Sequence, residues 1–281
     1  MKIANYELKI VDSGRFALDG GAMFGVVPKV LWERTSPPDE RNRIPLATRN
    51  LLLISPDRKI LIDNGCGDKW TTKLAQIYKI DPHQCSLTSA LAEHGLTPAD
   101  ITDVILTHLH FDHAGGSTQY DAVGNLIPTF PNATYHVQKE NWEWAHNPTE
   151  RDQASYLKAD FAPLGAEGMV NLIEGEGEIF PNIRVKVCYG HTAAQQHPII
   201  FDDETTLFYC GDLIPTFAHL PYPWIMGYDL RPLVTLAEKK AILPQALEKN
   251  WILFSEHDPH TPAVRLKKGK KGMEIGDNIT F

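Results

Sequence analysis

The sequence is poor in the features that would place it outside ordinary globular proteins. It has only four cysteines in 281 residues, Cys66, Cys85, Cys188 and Cys210, with no Cys-x-x-Cys pair and no spacing of a disulfide framework or a thiolate zinc site. A reducing, cytoplasmic setting is expected. No uninterrupted apolar run approaches the ~18 residues that span a bilayer, and no membrane association is expected. The first residues, Met1 to Lys9, carry charges at short intervals and lack the apolar stretch of a secretory signal, so export by that route is not expected. Positive charge is also scarce: 27 basic side chains against 35 acidic ones give a net charge of −8. That balance argues against nucleic acid as a partner. The one basic run, Lys267-Lys268-Gly269-Lys270-Lys271, reads as a solvated turn. There is no internal repeat and no linker-like tract, so a single domain over 1–281 is expected.

What remains is a chain that is 43% hydrophobic, long enough to bury a sizeable core. Short β-branched or apolar runs predict strands near 51–54, 59–63, 104–106, 134–138, 184–188, 198–201, 206–210 and 251–255. Ser86 is placed to cap a helix over 87–94, Thr97-Pro98 to restart the chain, and a further helix fits 233–248, with Pro244 expected to kink or break it. Strands interleaved with helices predict a layered α/β fold. Several of these strands end directly in His or Asp, and rigid strand ends are where folds place chemistry.

The twelve histidines are not scattered. The run Thr107-His108-Leu109-His110-Phe111-Asp112-His113-Ala114-Gly115-Gly116 puts three His and one Asp within six residues, the ligand types that suit zinc and similar divalent metals. His108 and His110 at a strand end turn toward one ion while Asp112 and His113, on the next turn, face a second. A chance H-x-H-x-D-H match is expected in only ~0.002 of chains this long. Further candidates at strand ends are His191, Asp212 and His257.

These motifs, with Leu61-Ile62-Asp63-Asn64-Gly65, Gly190-His191-Thr192, Gly211-Asp212 and Ser255-Glu256-His257, resemble the metallo-β-lactamase-fold metal-dependent hydrolases over nearly the whole chain. The resemblance implies a four-layer αβ/βα sandwich with a dinuclear metal site at the loop edge of the sheets. It implies that His108, His110 and His191 hold one metal, that Asp112, His113 and His257 hold the other, and that Asp212 bridges them. Asp63 resembles the acid that orients a ligand imidazole; its other reading is a turn cap before Asn64-Gly65. Leu18 to Lys29, and Gly211 to Thr216 through Trp224 to Asp229, narrow the resemblance to quorum-quenching N-acyl-homoserine lactonases of the YtnP type.

That resemblance implies hydrolysis of a lactone or other small ester by a metal-bridging hydroxide. Asp112 or Asp212 relays the proton, and two divalent ions are required, zinc first and manganese, iron or cobalt as alternatives. Other branches carry a substrate-contacting Tyr three residues after the bridging Asp, where this chain has Pro215; Tyr222, Tyr228 and His219 are the candidates to substitute. Relatives also read Pro-Gly-His after Gly-His-Thr, where this chain has Ala193-Ala194-Gln195-Gln196-His197. Met23, Phe24, Val26, Val27, Trp32, Trp224, Ile225 and Met226 either line an acyl channel or belong to core or a dimer contact. An arylesterase or phosphotriesterase on the same site is the alternative function, and a non-catalytic metal-binding protein is the third reading. A homodimer is expected by resemblance alone.

Overall fold

The computed structural model describes residues 1–81, 86–270 and 272–281. Cys85 and the last lysine of the basic run, Lys271, lie outside the described residues. The chain divides into two compact units: Met1–Arg15 with Thr48–Gly175 and Phe281, and Phe16–Ala47 with Glu176–Thr280.

The sheet of the first unit has seven strands in the order Lys2–Ile3, Tyr6–Asp19, Arg43–Ile54, Lys59–Ile62, Asp103–Ile105, Thr134–Gln138, Val170–Ile173. Residues beyond Arg15 on the second strand and before Thr48 on the third belong to the other unit. The last four strands are mutually parallel, so each connection must cross over, and helices Leu87–Ala92, Lys139–His146 and Lys158–Ala166 lie in the crossovers. Val104, Leu106, Tyr135 and Val137 form a core with Leu91, Phe130, Phe161 and Leu164. The parallel register fixes the chemistry: Ile62 pairs with Ile105, so Asp63 and Thr107 leave their strands side by side at the carboxyl end.

The second unit repeats the device. Its sheet runs Gly177–Phe180, Ile183–Cys188, Gln195–Phe201, Thr206–Tyr209, Ile252–Phe254, Ala263–Gly269, Gly272–Asn278. Only Thr206–Tyr209 and Ile252–Phe254 pair in parallel, with Tyr209 opposite Phe254; the helix Pro232–Glu248 lies in the connection. Asp212 and His257 therefore leave adjacent strands three residues beyond a paired position. His191 sits in the loop of the hairpin whose last pair is Cys188 with Gln195.

Two expectations need correction. The helix over Pro232–Glu248 runs unbroken through Pro244, because one missing N–H is outweighed by a buried face that includes Ile242, Leu243 and Ala246. Lys267, Lys268 and Gly269 belong to a strand paired with Gly272–Asn278 rather than to a turn, although both lysines are exposed.

Candidate metal centre

In the first unit the site begins with Asp63. Its backbone is left-handed, at φ 54°, a conformation disfavoured for any residue but Gly and held only when the surroundings over-determine it. Here they do. Oδ1 accepts the Thr107 N–H at 2.7 Å, and Oδ2 accepts the Thr107 hydroxyl at 2.8 Å and lies 3.1 Å from His113 Nδ1. Both sequence readings of Asp63 thus describe one residue: it fixes the turn and orients an imidazole. Thr107 Oγ1 also lies 3.1 Å from His108 Nδ1. With their Nδ1 atoms engaged, His108 and His113 have Nε2 left for a ligand role.

His108 Nε2 then lies 2.9 Å from His110 Nδ1. Two imidazole nitrogens facing one another so closely share one proton at most, and a cation satisfies both lone pairs. Asp112 and His113 follow on the short helix Phe111–Ala114, with Asp112 Oδ1 4.0 Å from His113 Nε2. This turn is clamped from behind. Gly67 lies so close to Gly115 that a Cβ there would meet the Gly115 carbonyl oxygen at 2.3 Å. Lys69 Nζ donates to the carbonyls of Gly115 and Thr118 and pairs with Asp160 at 3.1 Å, both side chains being buried.

In the second unit Asp212 faces two imidazoles at once. Its Oδ2 lies 3.1 Å from His191 Nε2 and its Oδ1 3.5 Å from His257 Nε2. The other nitrogens are again engaged: His191 Nδ1 lies 2.9 Å from Asp229 Oδ1, and His257 Nδ1 donates to the Ala47 carbonyl at 2.8 Å. Asp229 Oδ2 accepts the Thr235 hydroxyl at 2.6 Å. Burial disfavours charge on His191, but the carboxylates of Asp212 and Asp229 outweigh it and push the pKa up to about 10. An imidazole for which two carboxylates demand positive charge is one whose proton a divalent cation replaces.

All seven proposed ligands are buried. Within each unit the candidate ligands fall into two pairs. In the first these are His108 with His110 and Asp112 with His113; in the second, His191 with Asp212 Oδ2 and His257 with Asp212 Oδ1. The donor set, imidazole nitrogen and carboxylate oxygen with nothing softer, fits zinc and its first-row neighbours.

The pattern of the metallo-beta-lactamase superfamily matches residues 45–257. The chain belongs to that superfamily. As a metallo-β-lactamase-fold protein it is α/β with two principal sheets, as the motifs led one to expect. The structure is similar to that of a probable metal-dependent hydrolase from Staphylococcus aureus, with 30% identity, a TM-score of 0.90, and 99% of this chain and 98% of the other covered. It shares its fold with AidC, described as a dizinc quorum-quenching lactonase, at 20% identity and a TM-score of 0.81 over 100% of this chain and 97% of that one. By sequence it is 39% identical over 67 residues to the N-acyl homoserine lactonase AttM of Azorhizobium caulinodans, 24% of this chain and 22% of that one. Across the curated relatives it matches, the chain spans between 22% and 59% of their length.

The remaining candidates of this metallo-β-lactamase-fold chain sit apart from any ligand role. His219 donates from Nε2 to the Met23 carbonyl at 2.9 Å and its Nδ1 lies 2.8 Å from Thr216 Oγ1. Burial, with the nearby Lys239 adding to it, lowers its pKa to about 4, so it is a neutral strut. Met23 and Phe24 are buried, Phe24 stacking on His219 at 4.6 Å and on Trp32 at 5.2 Å, with Trp224 against its edge. These rings pack on one another, and Trp224 is half-buried. Tyr222 is half-buried, Tyr228 is exposed, and Val26 is 94% exposed. Ser117, at the end of the turn Gly115–Ser117, is buried and accepts from Asn64 Nδ2. Asp229 and Glu256, whose Oε1 lies 3.5 Å from His257 Nε2, are neighbours of the candidate ligands to which the sequence alone assigns no role. For Asp229 no local signal exists, since its partner lies 38 residues away.

Proposed function

We propose that this chain is a metal-dependent hydrolase that opens the lactone ring of N-acyl-homoserine lactones. Two divalent ions, zinc first, would be held by His108, His110 and His191, by Asp112, His113 and His257, and by Asp212. The observation that carries the reading is the Asp212 carboxylate, whose two oxygens face different imidazoles. That is the disposition of a carboxylate serving two ions. Membership of the superfamily, lactonase names among the curated relatives and a dizinc lactonase of the same fold support it.

When bound, such ions supply Lewis acidity for the ester carbonyl and for water. The chain's own residues do the rest. Asp63, Thr107 and Asp229 hold the ligand imidazoles in the tautomer that leaves the inward nitrogen bare. Asp212 and Asp112 carry the proton from the attacking water to the departing ring oxygen. The substrate is a small neutral ester, and a homodimer belongs to the proposal by resemblance. A cytoplasmic setting is supported by Cys66, Cys188 and Cys210, which are not joined in disulfides among the described residues, and no helix among the described residues is long and apolar enough to cross a membrane.

Metal analysis of the purified chain, followed by acid release from a panel of acyl-homoserine lactones, aryl esters and a phosphotriester, tests this. Two ions per chain and fastest turnover of a lactone are expected. His110→Ala and Asp212→Ala should each lose at least one ion and nearly all hydrolysis. Full activity in either variant overturns the site, and a preference for the aryl ester or phosphotriester overturns the substrate.

A further inference from the structure

Lys239 is fully buried in the middle of the helix Pro232–Glu248, and the four acceptors of its ammonium are all main-chain carbonyls. Nζ donates to the oxygens of His219 at 2.6 Å, Trp224 at 2.8 Å and Pro221 at 2.9 Å, with that of Tyr222 at 3.5 Å. The segment His219-Leu220-Pro221-Tyr222-Pro223-Trp224 explains why the oxygens are available. Pro221 and Pro223 have no N–H, so the segment is rich in acceptors and poor in donors; beyond His219, which ends a 3-10 turn, it lies outside helix and sheet, and the Pro221 carbonyl also accepts the Trp224 N–H at 3.0 Å. Buried carbonyls without partners are costly, and a buried ammonium without partners is costlier still. Each here answers the other, an ammonium's three protons meeting the three shortest contacts.

A cluster of backbone oxygens closing on one positive charge is how proteins strip and replace the hydration shell of a potassium-sized ion. We propose that His219–Trp224 is a monovalent-cation site to which the chain supplies its own cation, the Lys239 ammonium, and that Lys239 is thereby the residue that positions this segment. The consequence reaches beyond the cage. His219 carries its tie to the Met23 carbonyl and its stack on Phe24, and Trp224 the edge contact to the same ring. One ammonium therefore anchors the segment that follows the Asp212 turn to the helix Gly20–Phe24. Emptied of Lys239, the cage should accept potassium or ammonium in its place.

The test is the thermal midpoint of the purified full chain and of Lys239→Ala in potassium, ammonium, lithium and tetramethylammonium chloride at equal ionic strength. The parent should be indifferent to the cation. The variant should melt about 5 °C or more lower in tetramethylammonium and recover about half of that loss in potassium or ammonium, less in lithium. Equal midpoints for the variant in all four salts overturn the proposal. A second measurement needs no variant: 15N–1H correlation spectra of the parent at pH 6 should show a slowly exchanging lysine ammonium, assigned to Lys239 by its loss in Lys239→Arg. Absence of any protected ammonium overturns the proposal even where Lys239→Ala fails to fold. Neither readout passes through ester hydrolysis, so a failed lactonase assay leaves both outcomes intact.

Discussion

At the scale of single residues, the groups that hold the ligands matter as much as the ligands. Asp229 takes one nitrogen of His191 and turns the other toward Asp212. Asp229→Ala is expected to weaken metal binding about 10- to 100-fold, read by competition with a chromophoric chelator; an unchanged affinity would remove Asp229 from the site. Asp160 makes a different kind of prediction. Burial raises its pKa to about 6 although Lys69 pulls the other way, so the folded protein binds its proton more tightly than the unfolded chain does. The stability this contributes is fully present below the unfolded value near 3.8 and is lost as pH rises through about 6. Between pH 4 and pH 7 the parent should lose about 2 kcal/mol relative to Asp160→Asn, followed by denaturant melts at each pH. A pH-independent difference between the two would contradict the raised pKa.

Among the elements, the helix Pro232–Glu248 orders the loops of the second unit through three residues spaced for one face. Thr235 holds Asp229, Glu238 accepts the N–H groups of Tyr189 and Gly190 just before His191, and Lys239 gathers the carbonyls of 219–224. Gly190 is glycine because the helix start leaves no room: a Cβ there would meet the Thr235 nitrogen at 2.4 Å. Gly190→Ala should cost about 1–3 kcal/mol, seen as a lower denaturant midpoint; a variant as stable as the parent would show that the helix yields freely. The sequence located much of this framework. The strand Thr134–Gln138 lies where its alternation placed it, and Ser86 caps its helix through the Ser89 N–H. The fourteen-residue strand Tyr6–Asp19 is not marked in the sequence because Glu7, Lys9, Asp12 and Arg15 interrupt its apolar pattern, and its buried positions Tyr6 and Leu8, then Val11 and Ser13, shift phase between Leu8 and Val11. Its order comes from neighbours in the sheet, which local pattern does not record.

For the molecule as a whole, metal binding and folding should be one equilibrium. The candidate ligands are buried, and the carboxylate of Asp212 lies against His191, whose positive charge it favours. Removing metal with a strong chelator is therefore expected to lower the thermal midpoint, and restoring zinc to raise it again in proportion to the logarithm of free metal. A midpoint indifferent to chelation would argue that these side chains are satisfied by hydrogen bonds alone.

By itself the sequence singled out the candidate donors: three imidazoles and a carboxylate within six residues after a strand, and His191, Asp212 and His257 at later strand ends. Ligand type and short spacing are local properties, and a local pattern records them. Only the tertiary structure decided what holds each donor in place. The partner of His191 is 38 residues away and that of His257 is a carbonyl 210 residues away. A carbonyl has no side chain to betray it, and a hydrogen bond across such a span exists only once both sheets are formed. The same holds for Lys239, an unremarkable helix lysine in the sequence, whose charge acquires its meaning from four oxygens that two prolines and a fold bring to one point.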